Sequence, residues 1–226
     1  SNVSQPIGVK KWIPGFLNND REILKKNILT FINFCKREIA IALSNTDRFE
    51  DFEKSVQIAR ELCGEKSLLL ARLSRRQAQR THACRNIDNA LKYIEITLDL
   101  YIELSGADSF KSAQAFRIAV NIYLKKAHIE YNYQSTNRKV EDWKKKSLDA
   151  LRKGEEIVSK TPQEYPFEMS KFHDSFAQYY ITEWKNRNSD ELIQRAIDHQ
   201  EKGLEFKLKF YIPNTLAIAR HRSALG

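Results

Sequence analysis

The stretch SLDALRKGEEI, Ser147 to Ile157, sets small residues two helical turns apart, Ser147 and Gly154, and a large apolar residue three positions on, Ile157. Small residues at that interval let two helix backbones approach closely, and the large residue fills the space where they diverge. The pattern recurs on either side. ALKYIEIT, Ala90 to Thr97, has Ala90 and Thr97 followed by Leu100, and AIDHQEKG, Ala196 to Gly203, has Ala196 and Gly203 followed by Phe206. A fainter copy, FEKSVQIARELC, keeps Ala59 and Leu62 in the last two places but opens on Phe52. Repetition of one helical face at intervals along a chain is the signature of stacked helix pairs.

Helical periodicity runs almost continuously after Asn18, with turn-like segments at residues 43–46, 63–66, 105–109, 134–138, 160–166, 186–190 and 211–214. Eight or nine helices of about twenty residues are expected, joined by short loops and therefore antiparallel to their neighbours. Thr46 with Asp47, Ser189 with Asp190 and Glu191, and Pro213 with Asn214 and Thr215 supply helix-start signals. Seven glycines and five prolines in 226 residues are few, as long helices require.

The repeated face resembles the second helix of a tetratricopeptide repeat, and LAIARHRSALG at the chain's end resembles the first helix of another. The resemblance covers roughly residues 52–226. The copies begin at Phe52, Ala90, Ser147 and Ala196, intervals of 38, 57 and 49 residues, against about 34 in that family, so the helices and loops would be longer here. The resemblance implies an all-α, right-handed superhelical solenoid of about nine antiparallel helices. It also implies protein or peptide binding in the groove lined by the first helix of each pair. The expected organisation is an irregular lead segment over residues 1–17, which holds Trp12, and one repeat domain over 18–226. A start at Ser1-Asn2 and an end inside a helical pattern suggest a piece of a larger protein.

Composition narrows the function. The three cysteines, Cys35, Cys63 and Cys84, form no Cys-x-x-Cys pair, which points away from disulfide frameworks and zinc fingers and towards a reducing, cytoplasmic setting. No window approaches the roughly 20 apolar residues of a membrane span, and the opening lacks a signal-peptide core. No Gly-x-Ser-x-Gly, His-Glu-x-x-His or glycine-rich phosphate loop supports acyl transfer, metalloprotease or nucleotide chemistry. No cofactor and no metal is expected.

Charge singles out LSRRQAQRTHACR, Leu73 to Arg85. The chain carries +9 overall, and residues 65–85 hold six basic residues against one acid. On a helical wheel Arg72, Arg75, Arg76 and Arg80 fall within about 140°. His82 and Cys84 point to different faces, unsuited to a metal half-site. Arg76 and His82 also resemble the Arg-x4-6-His motif of HEPN ribonucleases, which implies phosphate binding by Arg76 and proton transfer by His82, with Gln77 where that family usually has Asn or Asp. RNA is a further possible partner on charge alone, although few aromatics interleave the stripe to stack bases.

In the repeat register Ser67 to Cys84 is a first helix, and Phe110 to Tyr133 is the next, with Arg117, Asn121, Lys125 and His128 forming its own stripe. Arg72, Arg76, Arg80, Arg117, Asn121 and Lys125 are therefore the expected partner-binding residues. They would form a basic groove for an acidic or phosphorylated partner. Leu73 and Cys84 are expected to face helix packing, with His82 incidental. The function expected is a non-catalytic binding scaffold; an RNA-binding or HEPN-like ribonuclease domain is the alternative. Self-association is expected through the C-terminal helix, whose Leu216, Ile218, Ala219 and Leu225 would lack a covering neighbour.

Overall fold

A computed structural model describes residues 21–45, 48–133, 137–162 and 164–210. Among these the regular structure is entirely helical: α1 (Arg21–Leu43), α2 (Phe49–Cys63), α3 (Leu68–Ala83), α4 (Ile87–Ser105), α5 (Phe110–Asn132), α6 (Asn137–Ser159), α7 (Pro166–Arg187) and α8 (Asp190–Phe210). Eight helices are described against the nine expected; the ninth, the C-terminal helix, falls on residues outside those described, as do Trp12 and the 1–17 segment. Six of the seven expected turns coincide with helix ends, and the seventh, 211–214, also lies outside the described residues.

The break between α3 and α4, Cys84 to Asn86, carries neither Gly nor Pro. There Arg85 adopts a left-handed conformation, φ 62°. The Asn86 N–H donates to the Thr81 carbonyl at 2.8 Å and the Arg85 N–H to the His82 carbonyl at 3.0 Å. This pair of bonds closes the last turn as a Schellman motif, with arginine where glycine is usual. Asn86 then caps α4 by accepting from the Asn89 N–H at 3.3 Å, and Ser109 caps α5 by accepting from the Ser112 N–H at 3.1 Å. Pro166 opens α7, where its missing N–H costs nothing, and Asn188 closes that helix at φ 47°. Arg48, in extended conformation, precedes α2 without a side-chain cap.

The chain divides into two compact units, residues 1–73 and 74–226. In the first, α1 packs on α2, and Ala40, Phe52, Val56 and Ala59 are buried. In the second, each helix from α4 to α8 packs on the next, and α5 also meets α7. Consecutive helices packed together across short loops run antiparallel. Ile94, Val120, Ile122, Leu151 and Phe172 are enclosed at the centre of the second unit's core.

The repeated small residues lie where the backbones need them. Ala90, Thr97, Ser147, Gly154, Ala196 and Gly203 are all buried, as are Leu100 and Ile157, while Phe206 is partly so. The Ser147 hydroxyl donates across to the Val120 carbonyl of α5 at 3.4 Å. At Gly154 a Cβ would overlap the ring of Phe172, with Phe116 Cβ at 3.3 Å on another side.

Candidate partner-binding surface

Alternate helices of the second unit are joined by one polar strip. From α3, Arg75 Nη1 donates to Gln114 Oε1 of α5 at 2.9 Å. Gln114 Nε2 donates to Glu168 Oε1 of α7 at 3.3 Å, and Arg117 Nε of α5 donates to Glu168 Oε2 at 2.8 Å. Lys171 Nζ, one turn along α7, stands 3.9 Å from the same carboxylate and over the ring of Phe167, 3.7 Å from its centroid. Gln114 and Arg117 lie three residues apart, and so do Glu168 and Lys171; that spacing puts each pair on one helix face.

Glu168 is buried and answers three cations, Arg75 through Gln114, Arg117 directly and Lys171 at longer range, so the strip retains an excess of two positive charges. Burial and the neighbouring Arg117 guanidinium hold the Lys171 ammonium below the usual lysine range, with Glu168 and Asp174 pulling it back. Arg75 Nε is buried with no hydrogen-bond acceptor among the described residues. A desolvated cation beside another cation is a place where an added anion is favoured.

The residues expected from sequence are distributed around this strip. Arg76 and Arg80 on α3 and Lys125 on α5 are partly exposed, and Asn121 is exposed. Arg117 is nearly enclosed, its guanidinium engaged by Glu168 rather than directed wholly outward. Arg72 is exposed and belongs to the first unit. Leu73 is buried as expected; Cys84 is not, being exposed in the cap that follows α3. His82 has a defined place, half-buried beside the Asn121 carbonyl and Lys125, with its imidazole lowered by burial, raised by that carbonyl and lowered again by the Lys125 charge. Gln77, which follows Arg76, is completely buried.

Arg75, Gln114, Glu168 and Lys171 were not among the residues singled out as binding groups. Arg75 lies on the basic stripe of α3 with Arg72, Arg76 and Arg80, and Gln114 and Arg117 share a face of α5. Glu168 had no signal of its own, because α7 had not been paired with α5.

Other polar groups in the unit serve packing. Lys144 bonds Glu183 at 2.9 Å and Glu141 at 3.0 Å, both across and within helices, with the Lys144 and Glu183 side chains buried. His173 and His199 meet Nδ1 to Nδ1 at 3.1 Å between α7 and α8. An open cavity of about 580 Å³ against α5 and α6 alternates Lys126, Lys139, Lys145 and Lys146 with Glu130, Asp142 and Asp149, and so favours neither sign of ligand. Among the described residues no cluster of three or more His, Cys, Asp or Glu is placed to hold a metal ion, and no helix is long and apolar enough to cross a membrane.

The fold defines an all-α protein of adjacent helix pairs, compatible with a helical repeat. No protein-family model matches the chain, and no curated protein matches it in sequence.

Proposed function

We propose that this chain is a non-catalytic binding scaffold, a tetratricopeptide-like right-handed solenoid working in the cytoplasm. Its first helices α3, α5 and α7 would present a basic strip to an acidic or phosphorylated protein segment. The observation that carries the reading is the run of side-chain bonds Arg75–Gln114–Glu168–Arg117 across three alternate helices. Alternate helices share a face in stacked pairs, and a partner lying along that face meets cations held in place by Glu168 rather than free to collapse. Arg76, Arg80, Asn121 and Lys125 flank the strip on α3 and α5, where they extend the positive field along a docked segment. Three unpaired cysteines suit a reducing compartment.

The test is fluorescence anisotropy with an acidic peptide, its phosphoserine counterpart and a single-stranded RNA, each at low and at physiological salt. The scaffold binds one of the peptides, with affinity falling as salt rises. Arg76→Glu combined with Lys125→Glu, which leaves the Arg117–Glu168 pair intact, should weaken binding tenfold or more, on the order of 1.5–3 kcal/mol. Tight binding of RNA alone, or RNA cleavage abolished by His82→Ala, would replace this reading with the nucleic-acid one.

A further inference from the structure

In the first unit, α1 carries six large apolar side chains that stand about half in solvent. Ile28, Leu29, Phe31, Ile32, Phe34 and Ile39 are each between 43% and 59% exposed, while the helix is fixed to α2 near its C-terminal end, where Ala40 is fully buried. Six large hydrophobes half in water on one helix are far from the scattered apolar residues of an ordinary surface.

Their order is specific. Ile28, Ile32, Cys35, Ile39 and Ala42 follow one another at intervals of four, three, four and three residues, the alternation that keeps a seam facing a second helix in a coiled coil. Leu29 and Phe31 border that seam, and Lys26, Thr30, Asn33 and Arg37, all exposed, occupy the opposite side of the helix. The Thr30 hydroxyl bonds back to the Lys26 carbonyl at 2.8 Å on that side.

We propose that this seam is a self-association surface, occupied by α1 of a second copy of the chain in antiparallel orientation. An antiparallel register centred between Ile32 and Cys35 sets Ile32 against the partner's Cys35 and Ile28 against the partner's Ile39. It also sets Lys25 against the partner's Ala42, where the lysine stem has room. A parallel in-register pair would instead bring the two Lys25 side chains together in the seam, a like-charge contact in an apolar setting. The size is sufficient: the five half-exposed side chains on or beside the seam offer on the order of 100 Å² each, so two copies would cover about 1,000 Å², the threshold that a specific interface has to reach.

Sedimentation equilibrium of the whole chain up to about 100 µM tests the proposal. A concentration-dependent dimer is expected, and Ile32→Glu with Ile39→Glu should return it to monomer with unchanged far-ultraviolet circular dichroism. A second readout guards against misfolding of that variant. In a Cys63→Ser, Cys84→Ser background, a short bismaleimide should cross-link Cys35 to Cys35 of a second copy, and cross-linking should vanish in Ile32→Glu. Two outcomes overturn the proposal. One is a monomer at the highest concentration, whether free or carried down by phosphatidylserine vesicles. The other is a dimer that persists in the folded double variant and leaves Cys35 unlinked.

Discussion

At Glu168 the carboxylate is almost fully enclosed and depends on Arg117, whose side chain is itself only 18% exposed. Removing one partner of such a pair leaves the other charged without compensation, which costs more than the pair contributes. Arg117→Ala should therefore destabilise by about 2–3 kcal/mol in urea unfolding, discounted for the residual exposure of the arginine. Adding Glu168→Gln should recover most of the loss; a double variant as unstable as the single one would mean that Arg117 acts through packing alone. Gly154 makes an opposite point about propensity. Alanine is the better helix former by about 1 kcal/mol, yet Gly154→Ala would drive a methyl into Phe172, a fully buried ring. A net loss of about 1–3 kcal/mol is expected from overpacking, read as a lower thermal midpoint. At Arg85 glycine is the better residue. Its left-handed backbone strains an arginine, so Arg85→Gly should raise stability by up to about 1 kcal/mol in the same assay.

At the scale of the element, the α7–α8 pair contains a device sensitive to acid. His173 is buried and its imidazole is pushed down to about 4, by burial first and then by the positive character of His199 and Lys202. His199 is lowered by burial and Lys202, with Asp198 opposing. Across the pair, Glu155 of α6 stands 4.0 Å from His173 Nδ1, and burial raises its carboxyl. The folded protein thus keeps His173 neutral where the unfolded chain takes up a proton below about pH 6.5. More protons on the unfolded state mean that stability is full above that pH and falls with acidification until about pH 4. The total from His173 is at most about 3 kcal/mol. Urea unfolding at about pH 7.5 and pH 5 should show the decline, and a His173→Phe variant should flatten it.

Over the whole molecule, protection from exchange should follow the depth of burial. Val120, Ile122, Leu151 and Phe172 are inaccessible in the second unit, so the amides of α5, α6 and α7 around them should exchange slowest. Those of Glu61 to Cys63, exposed or half-exposed at the end of α2, should exchange within the fastest class. Hydrogen exchange read by mass spectrometry checks this order; equal protection of both segments would contradict the packing described. The excess of +9 charges acts at this scale too, since it strengthens encounter with any acidic partner at low ionic strength and fades as salt rises.

The sequence alone determined the helical content, the turn positions and the repeated close approaches, because these depend on local periodicity, on Gly and Pro scarcity and on small residues spaced two turns apart. Ser147, Gly154 and Ala196 carried that information in their size. The α3–α4 break carried no turn signal of its own and was legible only through the repeat register, since the left-handed residue there is Arg85 and its energy is recovered by the bonds to Thr81 and His82 rather than by a glycine. The site was legible only as a set of basic faces. Whether a cation on such a face points to a partner or is held by an acid depends on which helices meet. The packing of α7 on α5 brought Glu168 to Arg117, 51 residues away, and no spacing along the chain encodes that meeting.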